Sequence, residues 1–189
     1  MLTHQITAAA LCLKEGKTLA YPTEAVWGLG CDPLNEAAFQ HILQLKQRPI
    51  EKGVILLASD ISQIHHLIDA LPQALQEKIM TSWSVEHPNK RAITWLLPAH
   101  ETIPQWIKGN HPSVAVRVTR HPLCQALCQA FGGFIVSTSA NPAGLIPAKT
   151  QYEVENYFND QVDYLAGELG SSNEPSMIID ARTGQVIRN

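Results

Sequence analysis

Three cationic side chains stand close together near residue 50, in a stretch that could bind an anion. Lys46, Arg48 and Lys52 lie within seven residues, between the end of an expected helix and a buried strand. Arginine offers phosphate a planar fork of donors, and lysine offers a compact positive charge. Two of these cations could instead offset the negative end of the preceding helix dipole. Three exceed what a helix terminus needs, so the segment favours a phosphate-binding site.

Hydroxyls, amides and glycines follow two other expected strands, at points where an open sheet exposes its loops to ligands. The first segment is YPTEAVWGLG at 21–30, in which Gly28 and Gly30 allow a positive φ or a close backbone approach. The second is STSANPAG at 137–144, whose hydroxyls, amide and backbone N–H groups could bind an anion or a base. It lacks the GxSxG pattern, so a serine nucleophile is disfavoured.

An arginine stands within an otherwise apolar strand. In SVAVRV at 113–118, period-two alternation puts Arg117 on one face with Ala115 and Ser113. A charge on such a face is costly unless it is paired. Two explanations remain open: an acid of the fold pairs with Arg117, or the side chain binds the carboxylate or phosphate of a ligand.

Familiar nucleotide and metal motifs are absent from the sequence. There is no GxxxxGK[ST] P-loop, no GxGxxG fingerprint and no HExxH pair. His121, Cys124 and Cys128 have spacings of three and four that could place them on one helix face, as a zinc site would need. No fourth ligand is evident, so we expect two small buried thiols there and no metal. If a nucleotide binds, scattered cations and hydroxyls must hold it.

The composition is that of a globular chain with little charge. The 189 residues are 45% hydrophobic and 16% charged, and the formal net charge of −3 argues against a strongly basic nucleic-acid binder. The charge is uneven, because six cations and one acid lie in 88–152, whereas seven acids and no lysine or arginine lie in 153–180. No apolar run approaches a membrane span, no cationic leader begins the chain, and the four cysteines form no CxxC pair. We therefore expect a cytoplasmic protein with reduced thiols and no membrane association.

The remaining elements must place the polar segments side by side. Helical and strand patterns alternate without a linker or a repeat, so we expect one α/β domain over residues 1–189, with a twisted mixed sheet and flanking helices. Helices are expected at 6–15, from Asn35 to about 45, from Asp60 to 68, and at 72–80, 122–131 and 150–158. Strands are expected at 18–21, 54–58, 92–97, 113–118, 134–137, 176–180 and 185–188. The last two should form a closing hairpin that brings Arg188 beside PSMIID at 175–180.

In order along the chain, these segments resemble the threonylcarbamoyl-AMP synthase family of the YrdC/TsaC type. YPTEAVWGLG is similar to the family's YPTE-x-x-x-GLG opening, LKQRP with Lys52-Gly53 to its K-x-R-P segment, and SVAVRV to its strand with an arginine. STSANPAG is similar to its S-x-SAN-x-SG loop, and PSMIID to its late PS-T-[IV] segment. The resemblance covers nearly the whole chain and matches the family's short form. It implies a twisted α/β sheet with a large, positively charged concave face.

The resemblance also implies a reaction. Members of the family join L-threonine, bicarbonate and ATP and release threonylcarbamoyl-adenylate and pyrophosphate, so the chain would be a nucleotidyltransferase. Other proteins then transfer the threonylcarbamoyl group to an adenosine next to the anticodon of certain tRNAs. The implied partners are the three substrates, Mg²⁺ with the ATP, the downstream transfer proteins and a contact with tRNA.

Site residues follow from the matching motif positions. Lys46 and Arg48 would be the catalytic cations. The residues implied for ATP are Arg48, Lys52, Ser113, Ser139, Asn141 and Arg188. Those implied for threonine are Thr23, Ala25, Arg117, Ser137 and Ser176, with Arg117 on the substrate carboxylate. No metal ligand is implied, and catalysis would rest on positioning and charge, without a protein nucleophile.

The chain departs from the family pattern at three places. Lys90, Arg91 and Ala92 stand where Pro-Gly-Pro is usual, Ala143 stands for a serine, and Met177 stands for a threonine. The first change replaces a turn expected near the nucleotide and adds two cations. Two other functions remain as alternatives. One is a maturation factor that binds double-stranded RNA or tRNA without chemistry, and the other is a regulatory protein that has lost its activity.

Overall fold

One sheet of nine strands organises the described part of the protein. The computed structural model describes residues 2–84, 91–172 and 174–189. The strands are β1 Leu19–Pro22, β2 Trp27–Gly30, β3 Ile55–Ala58, β4 Ile93–Pro98, β5 Ser113–Val118, β6 Ile135–Ser139, β7 Asp163–Tyr164, β8 Met177–Asp180 and β9 Val186–Arg188. Across the sheet their order is β7-β1-β2-β6-β3-β5-β4-β8-β9.

The strand directions are mixed, as the sequence predicts. The pairs β1–β7, β3–β5 and β4–β8 are parallel, whereas β1–β2, β2–β6, β3–β6, β4–β5 and β8–β9 are antiparallel. Side chains that pair across neighbouring strands point to the same face of a sheet. The register therefore decides which residues meet, and the predicted α/β class and closing hairpin are confirmed.

The helices begin and end largely at the expected signals. They are α1 Leu2–Lys14, α2 Glu36–Lys46, α3 Gln73–Trp83, α4 Gln105–Lys108, α5 Pro122–Phe131 and α6 Gln151–Phe158. Asn35 caps α2 by accepting the Ala38 N–H at 3.0 Å. Thr150 and Glu153 form the predicted capping box of α6. Among the described residues, none of the helices has the length and apolar character needed to cross a membrane.

The two faces of the sheet bury different side chains. Helices α2 and α3 cover one face, where Leu56 lies in the same core cluster as Phe39. Helices α1 and α5 cover part of the opposite face, where Leu57 and Ile135 cluster with Leu13. Burying an aliphatic side chain of this size contributes roughly 2 kcal/mol. These clusters fix which side of each strand points inward.

Further along the same strands, the second face becomes polar. Alternate residues of a strand share a face, so Ser137 and Ser139 point the same way as the buried Ile135. In the parallel pair of β3 and β5, Leu57 is opposite Arg117, which puts the arginine on this face as well. The face that is apolar beneath α1 and α5 thus continues as a polar surface, and a cavity forms over it.

The segment after Asp60 does not form the predicted α-helix. Two 3-10 helices, Ile61–Gln63 and His65–Leu67, replace it. Asp60 does cap the first of them, because its carboxylate accepts the Ser62 N–H at 2.9 Å. Ile64 lies between the two with φ −128° and ψ 9°, which breaks the helical backbone. Ile64, Leu67 and Ile68 of this segment are buried.

The sequence assigns no strand to residues 27–30, and that is wrong, because β2 runs there. A Cβ added at Gly30 would lie 2.4 Å from the Val136 carbonyl oxygen and 2.8 Å from the Tyr21 hydroxyl. Glycine therefore serves a close backbone approach, and neither Gly28 nor Gly30 has a positive φ. The short elements α4 and β7 were also missed, since four and two residues show no usable periodicity.

The two cysteines of α5 are buried, as expected. The Cys124 thiol donates to the Pro22 carbonyl at 3.2 Å, and the Cys128 thiol donates to the Leu57 carbonyl at 3.4 Å. Burial raises the pKa of both thiols, that of Cys128 to about 12. Within the described ranges no group of three or more His, Cys, Asp or Glu side chains could hold a metal ion.

Candidate active site

The polar part of the sheet face forms the floor of a cavity of about 360 Å³. All five of the predicted polar segments contribute to its wall. Nine of the predicted site residues line it: Thr23, Ala25, Arg48, Ser113, Arg117, Ser137, Ser139, Ser176 and Arg188. The fold therefore brings together side chains from distant parts of the sequence, and the role of each stays a prediction.

Three predicted residues are placed differently. Lys46 and Asn141 are buried, and neither is part of the described cavity wall. The side chain of Lys52 lies outside the described part of the structure, although its backbone belongs to the 3-10 helix Ile50–Lys52. The three cations near residue 50 thus do not form one exposed cluster, because Lys46 points into the protein.

Lys46 binds the loop that follows β6. Its Nζ donates to the backbone carbonyls of Ser139 and Asn141, the latter at 2.7 Å. Burial, with a smaller effect of the Arg48 charge, lowers the pKa of the Lys46 ammonium from 10.5 to about 7. A neutral amine still carries two N–H donors, so both contacts persist in either protonation state. The geometry favours a structural task for Lys46 over direct contact with a substrate.

Asn141 organises the same loop from within. Its Nδ2 donates to the carbonyls of Pro142 and Leu145 at 2.9 and 2.7 Å. Its Oδ1 is buried and has no hydrogen-bond partner among the described residues. The amide therefore closes the loop with its donors, and its buried acceptor is unpaired. The predicted contact of Asn141 with a nucleotide stays a prediction.

Arg117 lies on the cavity floor and is paired with an acid. Its Nη2 is 3.4 Å from Oε2 of Glu24, and the two side chains are 9% and 12% exposed. Burial raises the pKa of the Glu24 carboxyl, but Arg117 and the Thr119 hydroxyl outweigh it, and the pKa lies below its ordinary value. The explanation that an acid pairs with Arg117 is confirmed. Arg117 also lines the cavity, so the second explanation is compatible with the first. Contact of Arg117 with a ligand stays a prediction.

Ser176 joins the last two strands to β4 at the edge of the cavity. The buried Thr94 hydroxyl donates to the Ser176 hydroxyl at 2.8 Å. Arg188 donates to the Ser176 carbonyl from Nε and Nη2, at 3.1 and 2.8 Å, and to its hydroxyl at 3.0 Å. Burial and the charges of Arg117 and Arg91 lower the pKa of Arg188. These contacts fix the Arg188 guanidinium next to the cavity.

The turn after α2 carries Arg48, another residue of the cavity wall. Nη2 of Arg48 donates to the Gly53 carbonyl at 2.9 Å. Gly53 has φ +57°, and a Cβ there would come within 3.2 Å of the Lys108 carbonyl. Gly109 has φ +61°, and its Cβ would lie 2.7 Å from the Glu51 carbonyl. At both glycines the backbone of this turn therefore packs closely against the end of α4, where a side chain would not fit.

Four ionisable residues of the cavity wall were not predicted from the sequence: Glu24, Lys108, His111 and Glu174. Glu24 lies inside YPTEAVWGLG, so a signal for it was present. Lys108 and His111 belong to no recognised segment, and only the docking of α4 brings them to the cavity. The described wall carries four arginine or lysine side chains and two carboxylates, a balance that favours an anionic ligand.

Arg91, at the glycine position of the usual Pro-Gly-Pro, reinforces the wall near Ser176. Its Nε donates to the Pro175 carbonyl at 2.7 Å, and its Nη1 is 2.9 Å from a Glu174 carboxylate oxygen. Nη1 also donates to the Asn189 side chain at 3.1 Å. The neighbouring Lys90 lies outside the described residues. Arg91 thus links three parts of the chain where the family pattern has a turn.

Both carboxylates among the described residues of the cavity wall form ion pairs with arginines. Glu24 is paired with Arg117, and Glu174 is paired with Arg91. Mg²⁺ prefers oxygen ligands and commonly combines one or two carboxylates with substrate phosphates. The donor set of this wall therefore does not fit a metal ion held by the protein alone.

Comparison with known proteins identifies the family. The family model described as "Telomere recombination", which covers Sua5, YciO and YrdC, matches residues 12–189. The chain belongs to the Sua5/YciO/YrdC family. A relative from Acinetobacter baumannii named threonylcarbamoyl-AMP synthase is 63% identical over 188 residues, with 100% of both chains covered. A relative of the same name from Pseudomonas aeruginosa is 51% identical and covers 95% of this chain and 94% of its own. The predicted family is confirmed.

Solved structures of the Sua5/YciO/YrdC family share the fold. Sua5 of P. abyssi, complexed with L-threonine, superposes with a TM-score of 0.83 at 28% identity. The match covers 94% of this chain and 51% of that one. E. coli YciO superposes with a TM-score of 0.80 at 24% identity, and the match covers 99% of this chain and 89% of that one. At this level of identity the likeness supports the fold only.

Proposed function

We propose that the protein synthesises threonylcarbamoyl-AMP. Relatives of that name match the chain at 63% and 51% identity over nearly their full length. The protein is accordingly an enzyme of the transferase class. The finer assignment is a nucleotidyltransferase that joins L-threonine, bicarbonate and ATP and releases threonylcarbamoyl-adenylate with pyrophosphate. One domain over residues 1–189 would carry out this reaction in the cytoplasm.

The observation that carries the proposal is that cations and hydroxyls from all five segments converge on one cavity. Its volume of about 360 Å³ falls within the usual range of small-molecule sites. An amino acid and a triphosphate need positive charge at two separate places. Arg117 on β5 would bind the threonine carboxylate, with Ser137 and Ser176 beside it. Arg48, on the turn after α2, would bind the phosphates.

The other predicted residues complete the two halves of the site. Thr23 and Ala25 would form part of the threonine pocket, and Lys52 would add a second charge at the phosphates. The residues assigned to the nucleotide are Ser113, Ser139, Asn141 and Arg188. Lys46 would act as a positioning residue for the loop that carries Ser139, in place of the catalytic role expected from the motif.

Two bond-forming steps account for the products. The threonine nitrogen attacks the carbon of bicarbonate, and the bond from that carbon to the hydroxyl breaks. Water leaves with one ammonium proton, and a second proton passes to solvent. The carbamate oxygen then attacks the α-phosphorus of ATP, and the bond to the β-phosphate oxygen breaks as pyrophosphate leaves. Arg48 would offset the charge that grows on the leaving group, so positioning and fixed charge supply the catalysis.

Two kinds of partner follow from this reaction. Mg²⁺ would arrive bound to the phosphates of ATP, because the wall carboxylates are engaged by arginines. The product is a mixed anhydride, which a group-transfer reaction must consume. Its acceptor would be the tRNA adenosine next to the anticodon, through downstream transfer proteins. A positively charged concave face could also contact the tRNA itself.

Pyrophosphate release tests the proposal directly. The protein is incubated with ATP, L-threonine and bicarbonate, and each is omitted in turn. We expect release that requires all three. Arg48→Ala should abolish it without loss of folding, whereas Arg182→Ala, in the exposed turn of the β8–β9 hairpin, should leave it unchanged. No threonine-dependent release from the wild type, together with salt-sensitive tRNA binding, would instead support the RNA-binding factor.

A further inference from the structure

Glu24 is a buried carboxylate of the cavity wall that the proposed reaction leaves without a task. Its Oε1 accepts the Thr119 hydroxyl at 2.7 Å and the Arg120 backbone N–H at 3.3 Å. Its Oε2 is 3.4 Å from Nη2 of Arg117. Glu24 thus accepts two hydrogen bonds through Oε1, whereas Oε2 forms the ion pair with Arg117 and has no hydrogen-bond partner among the described residues.

The backbone of Glu24 is held as well. Its carbonyl accepts the Ser172 N–H at 3.1 Å, and the preceding Thr23 carbonyl accepts the Gly170 N–H at 2.9 Å. A Cβ added at Gly170 would lie 2.9 Å from the Glu24 Cα, so the two chains touch at that point. Because both the backbone and Oε1 are fixed, the position of Oε2 is fixed, and Arg117 must orient toward it.

The contact leaves much of the Arg117 guanidinium unused. Glu24 approaches Nη2, and Nε of Arg117 has no hydrogen-bond partner among the described residues. A guanidinium carries five donors in one plane. An arginine that is oriented through one of its nitrogens can therefore present others to a ligand carboxylate.

We propose that Glu24 is a positioning residue, which orients Arg117 for the carboxylate of the amino-acid substrate. The identity of that substrate rests on the proposed function. A glutamine at this position has one acceptor oxygen for three donors, so it must turn its NH₂ group toward Arg117 or toward Thr119 and Arg120. In the first arrangement Arg117 faces an NH₂ group, and in the second it faces a neutral oxygen, so in both it loses its negatively charged partner. The ligand carboxylate then loses a preoriented donor set.

Comparing the binding of two ligands distinguishes this role of Glu24 from a general effect on the cavity. L-Threonine and L-threoninol share the amine and the hydroxyl, but threoninol lacks the carboxylate. Glu24→Gln should weaken threonine binding, measured by calorimetry, roughly tenfold, the size expected for one charge-assisted hydrogen bond. Threoninol binding and the KM for ATP should stay within about twofold, since neither ligand presents a carboxylate to Arg117.

Glu15→Gln is the matched control, because it removes one negative charge at an exposed position, paired with Lys17 and outside the residues that line the cavity. It should leave threonine affinity unchanged. Should Glu24→Gln fold poorly, Glu24→Asp serves as a second variant. It keeps both acceptor oxygens but withdraws them from Arg117 by one methylene, and it should raise the threonine KM.

The possible failures are distinguishable. A wild type that releases no threonine-dependent pyrophosphate would contradict the proposed function. An active wild type whose Glu24→Gln variant binds threonine normally, or loses threonine and threoninol equally, would overturn the positioning role. An equal loss of threonine binding in Glu15→Gln would also overturn it, because the effect would then be one of net charge.

Discussion

The ammonium of Lys46 donates a hydrogen bond to the backbone carbonyl of Asn141 at 2.7 Å, which ties the end of α2 to the loop after β6. The same nitrogen also binds the Ser139 carbonyl, and the Ala143 N–H returns a bond of 2.7 Å to the carbonyl of Lys46 itself. With 2% exposure, Lys46 is part of the protein interior. Lys46 therefore stabilises, from the interior, the loop after β6 that carries residues assigned to the nucleotide.

Replacing Lys46 by methionine should flatten the dependence of stability on pH. The pKa of Lys46 is about 7 in the folded protein and 10.5 ordinarily, and burial is the main cause. Between these values the unfolded chain binds more protons, so the wild-type free energy of unfolding should rise with pH from about 7 to 10.5. Lys46→Met lacks this rise. Urea unfolding of both proteins between about pH 6 and pH 10 measures the difference.

The same variant leaves two buried carbonyls without a donor, at roughly 1–3 kcal/mol each. It should therefore be less stable than the wild type near the upper end of that range, with a deficit that shrinks toward neutral pH. Lys14→Met is the control, because Lys14 donates to the Ala130 carbonyl from an exposed position. It should follow the wild-type curve. Parallel curves for Lys46→Met and the wild type would indicate an ordinary pKa for Lys46.

The placement of Lys46 could have been predicted from the sequence. It lies four residues after Ile42 and three after Leu43, on the face of α2 that is buried. The three cations near residue 50 look alike as a charge cluster, but helical periodicity assigns Lys46 to the interior. Arg48 and Lys52 lie beyond the end of that helix, so the same reasoning does not apply to them.

Gly30 should tolerate no side chain. An added Cβ would lie 2.4 Å from the Val136 carbonyl oxygen, a backbone atom that cannot move unless β2 and β6 separate. We expect Gly30→Ala to lower the free energy of unfolding by about 3 kcal/mol. Gly133→Ala is the control, because a Cβ there meets nothing within 4 Å and its φ is not positive. Equal stability of the two variants would contradict the close approach at Gly30.

Local sequence patterns identified many of the cavity residues, but they could not predict which of these residues contact one another. Period-two alternation correctly put Arg117, Ala115 and Ser113 on one face, and all three line the cavity. The partner of Arg117 is Glu24, which lies in the turn between β1 and β2, and a local pattern carries no information on such long-range contacts. The strand β2 was missed for a related reason. Two glycines give it little intrinsic preference for a strand, and pairing with β1 and β6 supplies the rest.

Arg91 should fix the part of the cavity wall formed by Glu174 and Pro175. Arg91→Ala removes the donor to the Pro175 carbonyl and the ion pair with Glu174. Hydrogen exchange at residues 174–176 should become faster, because opening this segment would then cost fewer contacts. Global stability should fall by less than about 1 kcal/mol, since the Glu174 side of the pair is exposed.

Arg182→Ala is the matched control for that experiment. Arg182 is paired with Asp180 at 3.6 Å in the turn between β8 and β9, and among the described residues it makes no hydrogen bond or ion pair with the segment at 174–176. Exchange at 174–176 should match the wild type in this variant. Exchange that stays slow in Arg91→Ala would show that other contacts hold the wall.

Lys108 should contribute to the binding of ATP without being needed for folding. It lines the cavity beside the turn that carries Arg48, and its ammonium has no hydrogen-bond or ion-pair partner among the described residues. A lysine binds phosphate as a point charge, so Lys108→Met should raise the KM for ATP by roughly three- to tenfold and weaken inhibition by pyrophosphate in parallel. The KM for threonine should not change, because its carboxylate is assigned to Arg117. Lys17→Met, which alters an exposed lysine paired with Glu15, should change neither constant. An equal rise in both KM values would place the effect on the cavity as a whole, and no rise at all would remove Lys108 from the phosphate site.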